Sequence, residues 1–229
     1  MDDSLFIVGL DLGQVNDHTA LAILERPRIR RTTDPATVYA VRYLMRFPLG
    51  TSYPSIVTGV KEILQRPPLD RAPVFLAVDA TGCGRPVCDL LRPIFPSMAA
   101  ISITGGEQAS AGPAGWNVPK RTLAGIVQIL LQTRRLLIAQ GLPEAAQLKH
   151  ELQNFKVKIN IATGNESFEA WREKDHDDLV LAVAIAAWLG EQIAVAERNA
   201  AQEAAEIEAE RMLSALAGPG GVSLRNLYT

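Results

Sequence analysis

Acidic residues stand at three places where rigid elements should end. Asp11 closes the apolar run Phe6–Asp11, Asp79 closes Val74–Asp79, and the pair Asp177–Asp178 opens an apolar stretch reaching Trp188. Strands of one sheet that run the same way bring their C-terminal ends to one edge, and a helix N-terminus packed there could deliver the last pair. A carboxylate cluster of this kind suits a hard, oxygen-seeking cation, Mg²⁺ or Mn²⁺. Two such ions roughly 4 Å apart can activate a water and stabilise the leaving oxygen of a phosphodiester. Each acid also has a plainer reading. Asp11 could end a strand in a turn, Asp79 in Asp-Ala-Thr-Gly is turn chemistry, and Asp177 or Asp178 could cap a helix. A pair is more than a cap needs, and three such positions together point to a site.

The elements that must carry these acids follow from the hydrophobic pattern. Five strands are expected: Phe6–Asp11, Ala20–Leu24, Thr37–Tyr43, Val74–Asp79 and Ala99–Ile103. The first and fourth are nearly continuous apolar runs, the mark of buried central strands. Helical spacing covers Ser55–Gln65, a segment starting near Val87 behind Pro86, Pro119 to about Arg135, and Pro143 to Phe155. Gly105–Gly115, rich in Gly, Ala and Ser, reads as a loop. Lys156–Trp171 reads as a hairpin turning at Thr163-Gly164-Asn165. A last helix begins near Asp177, becomes Ala- and Glu-rich from Ala194, and stops before Gly218, leaving a loose tail. The order implies α/β architecture on a mixed sheet, with residues 1–190 as the main domain and 191–229 as a helix and tail.

The formal net charge is -2 and the pI about 6.0, so any nucleic-acid footprint must be local. Candidate phosphate contacts are Arg26, Arg28, Arg30 and Arg31 in one loop, Lys120 and Arg121 at a helix start, and Lys149, His150, Lys156 and Lys158. Contacts of this type give salt-sensitive, sequence-tolerant binding. Trp116 and Trp171 read as packing residues rather than base-stacking platforms. Cys83 and Cys88 have no second pair to complete a zinc site, and reduced thiols in a cytosol fit them. The start Met1-Asp-Asp-Ser4 lacks the cationic end and long apolar run expected of a signal peptide, and no uninterrupted apolar run approaches the roughly 18 residues of a membrane span. A cytoplasmic setting is expected.

The motifs resemble those of one family. Gly9-Leu-Asp11-Leu-Gly13, with Asp17 and Thr19-Ala-Leu-Ala after it, is similar to the first nuclease motif of phage terminase large subunits. Val78-Asp79-Ala-Thr-Gly82-Cys-Gly84 resembles the second, and His176-Asp-Asp-Leu-Val-Leu-Ala182 the closing His-Asp-Asp-Leu pattern. Trp116-Asn-Val-Pro-Lys120 and Glu151-Leu-Gln-Asn-Phe155 fall where that family has similar segments. The resemblance covers roughly residues 5–190. It implies an RNase H-like fold: a central mixed five-stranded sheet flanked by helices, with a long C-terminal helix.

The resemblance further implies a metal-dependent endonuclease that cuts double-stranded DNA with little sequence preference during viral genome packaging. Asp11, Asp79 and Asp178 would hold two Mg²⁺ or Mn²⁺ ions, with Asp177 a further ligand or a supporting acid. His176 would orient a carboxylate or the attacking water, and Asp17 is structural. The implied setting is the cytoplasm of a bacterial host, with phage or prophage origin. The implied partners are DNA, an ATPase motor, a small terminase subunit and a portal. The chain has no G-x-x-x-x-G-K-[ST] phosphate loop, so it is expected to be an excised nuclease domain or a separate nuclease subunit. Three alternatives remain: an actin-like or sugar-kinase-like ATP-binding protein, a Holliday-junction resolvase-like nuclease, and a non-catalytic packaging interaction domain.

Overall fold

The computed structural model describes residues 4–13, 17–27, 37–82, 84–162 and 177–217. The strands are β1 (Leu5–Asp11), β2 (Ala20–Arg26), β3 (Tyr39–Arg46), β4 (Val74–Asp79), β5 (Ala99–Thr104), β6 (Ser110–Gly112), β7 (Gly115–Pro119) and β8 (Leu136–Ile138). The helices are α1 (Tyr53–Leu64), α2 (Gly84–Leu91), α3 (Lys120–Gln132), α4 (Ala145–Ala162) and α5 (Asp178–Ala217). Two compact units divide the chain, Met1–Gly190 and Glu191–Thr229. The first holds the sheet, α1 to α4 and the start of α5. The second holds the Ala- and Glu-rich remainder of α5, whose side chains from Glu197 to Met212 are exposed.

The strands form one mixed sheet of eight, ordered β6-β7-β5-β4-β1-β2-β3-β8. Its middle is the five expected strands, and β6, β7 and β8 extend it at both edges. The β6–β7 hairpin replaces the expected loop over Gly105–Gly115, because β7 finds a parallel partner in β5 that Gly- and Ser-rich composition does not advertise. β1 is central, antiparallel to β2 and parallel to β4, and all of its residues are buried. That is the environment its unbroken apolar run requires.

Side chains alternate between faces along a strand. Phe6, Val8 and Leu10 of β1 and Leu76 and Val78 of β4 join one core cluster with Ile56, Val60, Val87 and Leu91 of α1 and α2. Cys88 lies in the same cluster, unpaired with another cysteine, and burial pushes its thiol up to about 11. Ile7, Gly9 and Asp11 therefore face the other way, where α5 runs. The helix approaches so closely that a Cβ on Gly9 would lie 1.9 Å from the Ala182 carbonyl oxygen and 3.1 Å from the Ala186 Cβ. Ala182 and Ala186, both buried, are small enough to make the approach possible.

Gly9→Ala should therefore cost about 3 kcal/mol or more, at or beyond the upper end of ordinary core overpacking, lowering Tm by roughly 6–12 °C. Gly125→Ala, inside α3 with nothing within 4 Å of the added atom, should stabilise by about 0.5–1 kcal/mol. Paired thermal melts check both. Equal Tm values for Gly9→Ala and wild type would contradict this packing of α5 on β1.

One expectation changes in this part of the fold. Residues 156–162 continue α4 rather than starting a hairpin. The alternation of Val157, Ile159 and Ile161 is a strand pattern, but a helix already nucleated upstream propagates through it at little cost. The expected turn at 163–165 and the tail from 218 lie outside the described residues. In addition, α5 is long and apolar enough to cross a membrane by length and composition alone, which the interrupted apolar runs did not suggest. Its residues Leu179 to Trp188 are buried within the first unit.

Candidate metal centre

β1 and β4 are parallel neighbours with Leu10 opposite Val78, and each strand places an aspartate one step further on. Asp11 and Asp79 thus stand side by side at one sheet edge and share a hydrogen bond. They project from the face that α5 covers. From Gly9 to Asp11, β1 advances about 7 Å. From Ala182, which touches Gly9, back to Asp178, α5 covers about 6 Å. The two displacements match, and α5 delivers the start of its first turn beside Asp11.

The electrostatics record this convergence. Asp11, Asp79 and Asp178 are 6%, 8% and 4% exposed. Burial raises the Asp11 carboxyl well above its usual range, and the charges of Asp79, Asp178 and Asp177 raise it further. Asp79 is also raised, by burial, and is held back by hydrogen bonds from Thr81, by Asp11 and by the Lys120 charge. Its Oδ1 accepts from the Thr81 backbone N–H at 2.8 Å and from the Thr81 hydroxyl at 2.5 Å. The Thr81 Oγ1 in turn accepts from the Ile103 N–H at 2.8 Å, tying the carboxylate to β5. Gly84 lets α2 start against β4, since a Cβ there would sit 2.1 Å from the Asp79 carbonyl oxygen.

The Asp177 carbonyl accepts from the Leu181 N–H at 2.9 Å, which makes Asp177 the residue that opens α5. Its side chain bonds elsewhere, with Oδ2 accepting from Lys120 Nζ at 2.9 Å. Lys120, the first residue of α3, also lies over the Phe155 ring, 5.9 Å from its centre. The backbone amides of the first turn of α5 are served by Glu151 of α4, whose Oε2 accepts from Leu179 and Val180 at 3.0 and 3.1 Å. Glu151 is 1% exposed. Burial raises its carboxyl to about 7, against the opposing hydrogen bonds from Gln147 and Val180.

The candidate acids are brought together: Asp79, Asp177 and Asp178 all act on Asp11 at this edge. The candidate bases fare differently. Lys120 is turned inward to Asp177, and Arg26 is a buried β2 residue, which removes it from a surface loop. Arg121 is exposed and pairs with Glu107 at 3.2 Å, and Lys149 and His150 are exposed on α4. Arg28, Arg30, Arg31, His176, Trp171 and Cys83 lie outside the described residues, as do the side chains of Lys156 and Lys158 on α4. Trp116 packs edge-on against Trp188, ring centres 5.4 Å apart, in keeping with a packing role. Thr81 and Glu151 received no role from their sequence, although Asp-x-Thr turn chemistry and the Glu151-Leu-Gln-Asn-Phe155 segment were visible signals.

Among the described residues, no three His, Cys, Asp or Glu side chains meet at ion-ligating spacing as they stand. Asp79 Oδ1 is engaged by Thr81 and Asp177 Oδ2 by Lys120. The donor set nevertheless fits a hard divalent cation. It offers only carboxylate oxygens, with Asp11, Asp79 and Asp178 buried and the others' charges bearing on Asp11, and a 2+ charge there would offset both costs.

No protein-family model matches the sequence, and no curated protein does. Among solved structures the chain is similar to the human cytomegalovirus terminase nuclease domain, Mn soaked and inhibitor bound. The likeness has a TM-score of 0.50 at 16% identity and covers 85% of this chain and 86% of that one. The chain has the α/β, RNase H-like fold of that terminase nuclease domain.

Proposed function

We propose that the chain is a metal-dependent endonuclease that hydrolyses phosphodiester bonds of double-stranded DNA with little sequence preference. The observation that carries this is the convergence of three buried carboxyls, Asp11, Asp79 and Asp178, at one edge of the sheet, where the charges of Asp79 and Asp178 disfavour the ionised form of Asp11. Asp11, Asp79 and Asp178, supported by Asp177, would hold two Mg²⁺ or Mn²⁺ ions. When bound, such ions supply activation of a water and charge stabilisation at the leaving oxygen. The protein's own part is placement. β1 and β4 set two carboxylates side by side, α5 brings the third, and Thr81 fixes the rotamer of Asp79. Lys120 holds Asp177 at the rim of the cluster. Phosphate contacts from Arg121, Lys149, Arg28, Arg30 and Arg31 would track the DNA backbone without reading bases.

The fold shared with a terminase nuclease domain supports a place in viral genome packaging, beside an ATPase motor, a small terminase subunit and a portal. The motif resemblance extends that reading to phage or prophage origin and the cytoplasm of a bacterial host. Incubation of supercoiled plasmid with the protein and Mn²⁺ or Mg²⁺ should give nicked and then linear DNA. EDTA or Asp79→Ala should abolish the cutting. A folded wild-type protein that leaves plasmid intact with both metals would defeat the proposal, and strong preference for four-way junctions would convert it to a resolvase.

A further inference from the structure

Asp177 occupies the position whose side chain ordinarily accepts from the second and third amides of a helix. Those amides belong to Leu179 and Val180, and Glu151 of α4 has taken both. Glu151 is 1% exposed, reaches across 28 residues of sequence, and is braced by Gln147, whose Nε2 donates to its other oxygen at 3.1 Å. A buried carboxylate in this place is costly, and a capping serine or the aspartate already present would satisfy the same amides. The arrangement has a consequence for the cluster. With its amides served from α4, the first turn of α5 leaves Asp177 to bond Lys120 and Asp178 to face Asp11.

We propose that Glu151 is a positioning residue for the metal centre: by capping α5 in place of Asp177, it releases the Asp177–Asp178 pair toward the sheet edge. This rests on the metal-centre reading above for its effect on ion binding, though not for the cap itself. Reach, rather than charge, is what the role demands. Glu151→Gln keeps an oxygen at the same distance from both amides, and Gln147 can turn its own amide to accept from the new one. Glu151→Asp keeps the charge but withdraws it by one methylene, about 1.5 Å, beyond hydrogen-bond distance.

The test compares wild type, Glu151→Gln and Glu151→Asp by two readouts. The first is the Mn²⁺ concentration giving half-maximal thermal stabilisation. The second is amide hydrogen exchange at Leu179 and Val180, with β1 amides as the internal reference. Glu151→Asp should raise the half-saturating Mn²⁺ about 10–100-fold. It should also speed exchange at the two capped amides by about ten-fold or more relative to β1. Glu151→Gln should stay within about three-fold of wild type on both. Glu151→Asp matching wild type, or Glu151→Gln failing as badly as Glu151→Asp, would overturn the proposal. If Mn²⁺ stabilises none of the three proteins, the metal-centre reading fails, and the exchange data still decide whether Glu151 caps the helix.

Discussion

Asp11→Asn should lower metal-dependent cleavage by about 10³-fold or more and, in the same protein freed of metal, raise the melting temperature. Under the proposed function the first effect is the loss of a central ligand, about 4 kcal/mol of transition-state stabilisation. The second follows from what surrounds Asp11. Burial, then the charges of Asp79, Asp178 and Asp177, all disfavour its ionised form. Asparagine has the same shape, carries no charge, and can donate its amide to Asp79 in place of the hydrogen bond the two acids now make. Opposite signs for activity and stability are the signature of a site that stores repulsion for a ligand to relieve. Cleavage assays and metal-free melts on one preparation measure both. A destabilised Asp11→Asn would mean that Asp11 is held by structural hydrogen bonds and that the repulsion described here is overstated.

The stability of the metal-free protein should fall as pH rises from 5 to 8, and Mn²⁺ should reverse the trend. A carboxyl raised in the folded chain keeps its proton there at a pH where the unfolded chain has released it. Its contribution is complete below the unfolded pKa and is lost as pH climbs through the folded one. Glu151 sets the clearest window, from the ordinary 4.5 to about 7. Asp11 and Asp79 are raised too and act in the same sense. Ion binding needs Asp11 and Asp79 deprotonated, so stabilisation by Mn²⁺ should grow as pH rises through their raised range. At free Mn²⁺ about 100 times its Kd the gain is about 2.7 kcal/mol, or roughly 5–11 °C in Tm for a chain of this size. Melting curves in EDTA and in Mn²⁺ across the pH range check this. A metal-free Tm that climbs steadily from pH 5 to 8 would show that these acids are stabilised as anions by the fold, leaving little for a cation to add.

Much of this was readable before any coordinates. Continuous apolar runs announced β1 and β4 as central strands, and an acid at the end of each placed Asp11 and Asp79 at strand termini. An apolar helix opening on Asp177–Asp178 completed the acidic set. These are local signals: the period of a segment and the residue that ends it follow from backbone geometry within a few residues. Pairing was not local. β7 became a strand by docking on β5, and residues 156–162 stayed helical although their alternation suited a sheet.

The sequence by itself determined which residues are candidates to meet: acids at the ends of rigid elements, on a chain whose order of strands and helices admits few arrangements. The tertiary structure decided what each acid is free to do. Only the packed helix explains Gly9, since the Ala182 carbonyl that an added Cβ would meet at 1.9 Å belongs to a residue 173 positions away (182 − 9). Lys120 was read as a surface base and is turned to Asp177, while Glu151, given no role at all, took the amides that Asp177 would have capped. The physical reason is common to all three. Whether a polar group meets water, a charge or a backbone amide is fixed by the element packed against it, and periodicity within one segment carries no record of that neighbour.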